Sequence, residues 1–214
     1  MKKHAFIFTG FSKKVLSHNA EKVVALLKEH GFTVDVFSGS RLNMLVNSSL
    51  EFPEEGSLRK HVEAETGRND YTIAIGASGG GYGGLMHSIY AGASCFIGFS
   101  SFTNVSLASR EIDPRGAQIL GVMDEVILDD SRRDLGVHMD EQKPKLNVHL
   151  YYPKGEPSDT YQAENLKRFE NVKLHPQDSS KHNMTDISFD VIPAILSILQ
   201  AEGVAEERKL VPSE

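Results

Sequence analysis

Cysteine is almost missing from this sequence: Cys95 is the only one, so no intrachain disulfide can form. It lies in the apolar run Ser94-Cys-Phe-Ile-Gly98 and reads as a small buried hydrophobe. Metal-ligand spacing is missing too. Nine histidines are scattered without any H-x-x-x-H or C-x-x-C pair, so neither metal nor cofactor is expected. No basic cluster goes beyond Lys13-Lys14, and the net charge is −6, which excludes an electrostatic nucleic-acid binder. No apolar run approaches the ~20 residues a membrane-spanning helix needs. Lys2-Lys3 runs straight into a strand pattern, which leaves no room for a signal peptide and makes the cytoplasm the expected location.

What remains is ordinary for a soluble globular chain: 214 residues, 40% hydrophobic and 24% charged. That length suits one core-bearing α/β domain over 1–214. Its organising stretch is Tyr71 to Gly84. Tyr71 to Ile75 is apolar and β-branched, as in a buried strand. Five glycines follow within the six residues 79–84. Leu85-Met-His-Ser-Ile-Tyr-Ala91 then reads as a helix. At the junction Gly76-Ala77-Ser78-Gly79-Gly80 matches G-x-S-x-G, the spacing of a serine on a sharp strand-to-helix turn. Small flanking residues let neighbouring backbone come close there, and the next amide points into the same space as the hydroxyl.

Two other readings compete. Gly79-x-Gly81-x-x-Gly84 fits a dinucleotide fingerprint, but the region about 20 residues on, Phe99-Ser-Ser-Phe-Thr-Asn104, has no carboxylate to hold a ribose. Alternatively the glycines serve only close helix–sheet packing, and Ser78 is idle.

The rest of the chain alternates. His4 to Thr9 is a first strand, apolar enough to be covered on both faces. A helix capped by Ser17 or Asn19 ends at His30-Gly31, and Phe32 to Phe37 is a second strand. Residues 38–56 are irregular, and a polar helix from Ser57 to Glu65 closes at Gly67. Ala93 to Ser100 is the strand after the serine turn, and the β-α-β rhythm predicts a parallel sheet with helices on both faces. Residues 101–145 break that rhythm and read as an insertion over the sheet's active edge, a candidate substrate lid, with a plain surface crossover as the alternative. Leu146 to Tyr152, a helix over Tyr161 to Phe169, a short strand Val172 to His175 and a closing helix Ile187 to Leu199 follow. Pro193 implies a kink in that last helix or a later start.

This order, with the serine turn after the third strand, resembles the α/β-hydrolase superfamily in a minimal six-stranded form. The fold expected from the resemblance is a three-layer α/β/α sandwich on a mostly parallel sheet. The superfamily orders its triad serine, acid, histidine. Pro153-Lys-Gly-Glu-Pro-Ser-Asp159 is similar to its acid loop, and His182, after the final strand, stands where it places the base. The resemblance thus implies a Ser78–His182–Asp159 triad, with an oxyanion hole from the amides of Gly79 and Phe11. Glu156 competes for the acid role, and Asp129 or Asp130 could serve if the acid follows an earlier strand. His175, inside the last strand, and His87, on the helix after the elbow, read as structural. Tyr82, Phe99, Phe102 and Tyr152 read as core or as pocket lining.

Three function classes follow. The first is a serine hydrolase acting on a small-molecule carboxylic ester, thioester or related acyl bond, carbohydrate-linked ones included. The second is an acyltransferase delivering the acyl group to a sugar or other alcohol on the same triad. The third is an inactive hydrolase fold acting as a binding module.

Overall fold

A computed structural model describes residues 1–10, 13–39, 43–115 and 117–205. In chain order it has β1 (Lys3–Phe8), the two-residue strands β2 (Lys14–Val15) and β3 (His18–Asn19), α1 (Ala20–Glu29) and β4 (Phe32–Phe37). Next come α2 (Ser57–Arg68), β5 (Tyr71–Ala77), α3 (Ser78–Ala91) and β6 (Cys95–Phe99). The following connection carries α4 (Ala117–Val126) and α5 (Leu135–Gln142), with 3-10 turns at Ala108–Glu111 and Asp130–Arg133. β7 (Asn147–Pro153), α6 (Pro157–Glu164), β8 (Val172–Gln177) and α7 (Val191–Ala201) complete the order.

Six strands form one sheet in the order β4-β1-β5-β6-β7-β8, and every pairing is parallel. β2 and β3 make a separate antiparallel hairpin that the sequence pattern had not suggested. Side chains alternate between two apolar layers, as the period of two requires. Phe6, Phe8 and Ala74 pack with Leu58, Leu85, Met123 and Leu135 on one face. Ala5, Ile7, Ile73 and Ile75 pack with Val23, Leu27, Ile195 and Leu199 on the other. Because both faces are covered, β1 and β5 are nearly continuous apolar runs rather than alternating ones.

Several boundaries differ from the sequence reading, each for a local reason. α1 ends as expected at His30, with Gly31 at φ +80, but the Asn19 cap makes no side-chain hydrogen bond. Gly67 does not close α2, which runs on to Arg68. α6 starts at Pro157 rather than Tyr161, because Pro157 at its first position needs no amide hydrogen and Glu156 caps it. α7 starts at Val191, so Pro193 falls in the first turn, where no amide bond is lost and no kink is needed.

The strand order reverses between β1 and β5. In such sheets the crevice at the carboxyl ends beside that switch is where ligands bind. Ser78 follows β5 directly at this point.

Candidate active site

Ser78 has φ +51, a left-handed conformation that costs a non-glycine residue about 1–3 kcal/mol. The turn from β5 into α3 forces it, and close approach on either side explains the motif. A Cβ on Gly80 would stand 2.2 Å from the Thr9 carbonyl oxygen and 2.6 Å from that of Phe8. A Cβ on Gly76 would stand 2.6 Å from the Gly81 Cα. Only residues without side chains let α3 descend this far onto β1. The result leaves Ser78 partly exposed between buried neighbours.

His182 meets that serine from the loop between β8 and α7. Its Nε2 lies 3.0 Å from Ser78 Oγ, and its Nδ1 lies 3.0 Å from both carboxylate oxygens of Asp159. The loop is pinned from two sides. Ser100 Oγ donates to the His182 carbonyl at 2.6 Å. Asp186 accepts from the Ser179 hydroxyl, from the Ser180 amide at 2.9 Å and from the Ser180 hydroxyl at 2.9 Å. Those hydrogen bonds, Ser179's first, hold the Asp186 carboxyl down at about 2.

Asp159 is in the first turn of α6 with its side chain fully buried. Glu156, its rival, turns out to be well anchored: its Oε2 accepts from the Asp159 amide at 2.7 Å as the helix N-cap. It therefore caps the helix that carries Asp159 and does not reach His182 in this geometry. Asp129 and Asp130 are engaged elsewhere, Asp129 capping a 3-10 turn through Ser131 and Asp130 pairing with Arg133. His175 stacks on Tyr151 and its Nε2 contacts His149 Nδ1, so it belongs to the sheet. His87 is sealed under α3 against the Leu45 carbonyl at 2.9 Å. Tyr82 and Phe99 are fully buried core residues.

Gly79 follows Ser78 in the first turn of α3, where amides have no intrahelical acceptor. Phe11 lies outside the described residues. Its neighbour Gly10 is at the site: a Cβ there would stand 3.7 Å from Ser78 Cβ.

Sequence reasoning missed Arg115. It comes from the connection between β6 and β7, and its Nη1 donates to Asp159 Oδ1 at 2.7 Å and reaches His182 Nδ1 at 3.0 Å. Its other edge grips Asp113 in a fork, Nε to Oδ1 at 2.7 Å and Nη2 to Oδ2 at 2.7 Å. Burial works to raise the Asp113 carboxyl, but the Arg115 fork outweighs it and holds the group below its usual range. Gln162 of α6 donates to the same carboxylate at 2.9 Å and accepts from the amides of Thr103 and Asn104. The connection is thus tied into the acid end of the site. The Asp113-Pro114-Arg115 triplet read only as a break in the pattern, because nothing local marks an arginine destined for a distant carboxylate.

Arginine nitrogens carry no lone pair, so the two contacts to His182 Nδ1 exclude each other. With a proton on Nδ1 the ring donates to Asp159 and leaves Nε2 free to accept from Ser78. Without it Nδ1 accepts from Arg115, and Nε2 faces the serine as a donor.

No protein-family model matches the chain, and no curated protein matches it in sequence. Solved structures do match it in three dimensions. The chain has the α/β-hydrolase fold. It is similar to an α/β-hydrolase enzyme from the metagenome of lagoon sediments at Mar Chica, Morocco, with TM-score 0.62 and 14% identity over 95% of this chain and 93% of that one. It is similar to a lipase/esterase from Lactobacillus plantarum, with TM-score 0.63 and 11% identity over 96% and 87%. A capsule O-acetyltransferase of Neisseria meningitidis serogroup A matches with TM-score 0.56 and 15% identity over 94% and 88%.

Proposed function

We propose that this protein is a serine hydrolase that cleaves a small-molecule ester, thioester or related acyl bond through an acyl-enzyme. One observation carries the reading: an imidazole whose Nε2 is 3.0 Å from a strained, partly exposed serine and whose Nδ1 is 3.0 Å from a buried carboxylate. A serine hydroxyl alone is a poor nucleophile. His182 takes its proton as Oγ attacks the acyl carbon, then gives it to the departing alcohol or thiol. Water, deprotonated by the same ring, releases the acid. Asp159 keeps the proton of the neutral ring on Nδ1 and stabilises the imidazolium that forms. Arg115 in this state gives up His182 and keeps Asp159 Oδ1 and its fork on Asp113. The oxyanion is met by the Gly79 amide and a second donor, for which the resemblance implies Phe11, each such donor being worth about 3 kcal/mol in the transition state. Residues 101–145, which bring Arg115 to the acid, act as the wall or lid of the acyl site.

The likeness to the capsule O-acetyltransferase supports a second reading on the same residues, transfer of the acyl group to a sugar hydroxyl instead of water. Turnover of an activated acetyl ester with and without added polyol separates the two, since a transferase produces acetylated polyol at the expense of free acetate. The test of both is Ser78→Ala. Fluorophosphonate labelling and ester turnover should vanish while the circular dichroism spectrum and Tm hold. Retained turnover in the alanine variant would remove Ser78 as nucleophile.

A further inference from the structure

At the end of the sheet opposite Ser78, beneath the last turn of α7, polar side chains gather inside an otherwise apolar layer. Cys95 opens β6, His149 lies near the start of β7, and Glu202 caps α7. One ligand atom from each lies within 4.8 Å of the other two. Cys95 is fully buried and His149 is 3% exposed, while Glu202 reaches the surface.

His149 Nδ1 is 3.0 Å from His175 Nε2, but its own Nε2 is sealed from solvent with no hydrogen-bond partner. A buried polar atom left so has lost its water and gained nothing in return. Whichever nitrogen carries the proton, something is missing at Nε2. The arrangement around it is that of a ligand histidine with its outer support in place. With its proton on Nδ1 the ring donates to His175, which turns the Nε2 lone pair into the cluster. Glu202 is oriented likewise, its two oxygens taking the Asn147 amide at 3.0 and 3.3 Å. The buried Tyr71 hydroxyl likewise has no hydrogen-bond partner, and burial, Cys95 and Glu202 all act on it to keep it protonated.

We propose that Cys95, His149 and Glu202 bind one divalent transition-metal ion of the zinc class, which fastens the end of α7 to β6 and β7. Thiolate, imidazole and carboxylate together select that class over the oxygen-only sites of magnesium or calcium. Bond lengths of about 2.0–2.3 Å require the three atoms to draw in to within about 3.3–3.8 Å of each other. The Glu202 turn at the surface supplies that movement. The Tyr71 oxygen or a water takes the fourth position. The three ligands come from elements 54 and 53 residues apart in sequence, so no spacing motif could announce them.

The test uses tag-free full-length protein, unfolded and refolded with cobalt(II) so that burial does not block entry. One equivalent should bind, with a thiolate-to-cobalt charge-transfer band and the strong visible absorption of four-coordination. Zinc added during refolding should raise Tm. Cys95→Ser should lose the charge-transfer band and His149→Gln the Tm shift, while Ser78→Ala should behave as wild type in both. A cobalt spectrum without the thiolate band, a band that survives Cys95→Ser, or an unchanged Tm with zinc would overturn the proposal. So would a zinc-soaked crystal with only a water beside His149 Nε2.

Discussion

At the scale of single residues, Asp159 and Glu156 differ in what their positions let them touch. Both carboxylates lie within one turn, yet only Asp159 faces His182, and its buried side chain has His182 and Arg115 as its polar partners across the site. Glu156 points at the Asp159 amide and sits 3.5 Å from Arg115. Asp159→Asn keeps the shape but favours the wrong imidazole tautomer, which the Arg115 contact then reinforces. Its kcat should fall by up to about 10⁴-fold. Glu156→Gln keeps an acceptor for the cap and should change kcat less than about tenfold, with about 1 kcal/mol or less lost from stability. Both are read with one ester at one pH. A crippled Glu156→Gln beside a near-silent Asp159→Asn would reverse the assignment.

At the scale of elements, the elbow was legible because its requirement is local: G-x-S-x-G can be read off five consecutive residues, and the strand before it from its β-branched run. The four inner strands β1, β5, β6 and β7 were legible for the same reason, since burial on both faces leaves an apolar signature, while the half-exposed edge strands β4 and β8 carry a more mixed one. Arg115 was not, because Asp159 and His182 become its neighbours only once the β6–β7 connection packs against α6. Nor was the cap of α6, where Pro157 hid a helix start inside what looked like a loop. The elbow's packing gives one prediction. Gly80→Ala drives a methyl to 2.2 Å from the Thr9 carbonyl oxygen and 2.6 Å from that of Phe8 at the end of β1, backbone that cannot yield, so α3 must lift. Overpacking of this kind costs about 1–3 kcal/mol or more, and a urea denaturation midpoint will report it. Labelling by fluorophosphonate should fall with it, because Ser78 rides on the same turn. The Arg115 anchor gives another. Arg115→Met strands the buried Asp113 carboxylate and should cost about 3–5 kcal/mol. Asp113→Asn added to it removes the stranded charge while leaving an acceptor for Gln162, and should recover more than half of the loss. If the double variant is no more stable than the single, the ion pair is not what holds the connection down.

At the scale of the whole molecule, two apolar layers close so tightly over the sheet that one of its histidines is held neutral, and that sets how stability responds to pH. His87 is 1% exposed, and burial, the largest influence, pushes its pKa down to about 4 from 6.5. Between those values the unfolded chain binds a proton that the folded chain refuses. Stability is therefore full above about pH 6.5 and falls as the pH drops toward 4. Depressed carboxylates such as Asp113 and Asp186 work in a different window: their contribution is present above about 4 and is lost only as the pH falls through their lowered values. A comparison of pH 7 with pH 4.5 thus isolates the histidine effect. The His87 share is removable without breaking its contact, because glutamine can donate to the Leu45 carbonyl in place of Nε2. From pH 7 to 4.5 the wild type should lose about 2 kcal/mol more unfolding free energy than His87→Gln, read from urea curves with equal m-values. Parallel losses in the two proteins would mean that His87 takes up its proton without unfolding, and that the layer above α3 opens to water more readily than its packing implies.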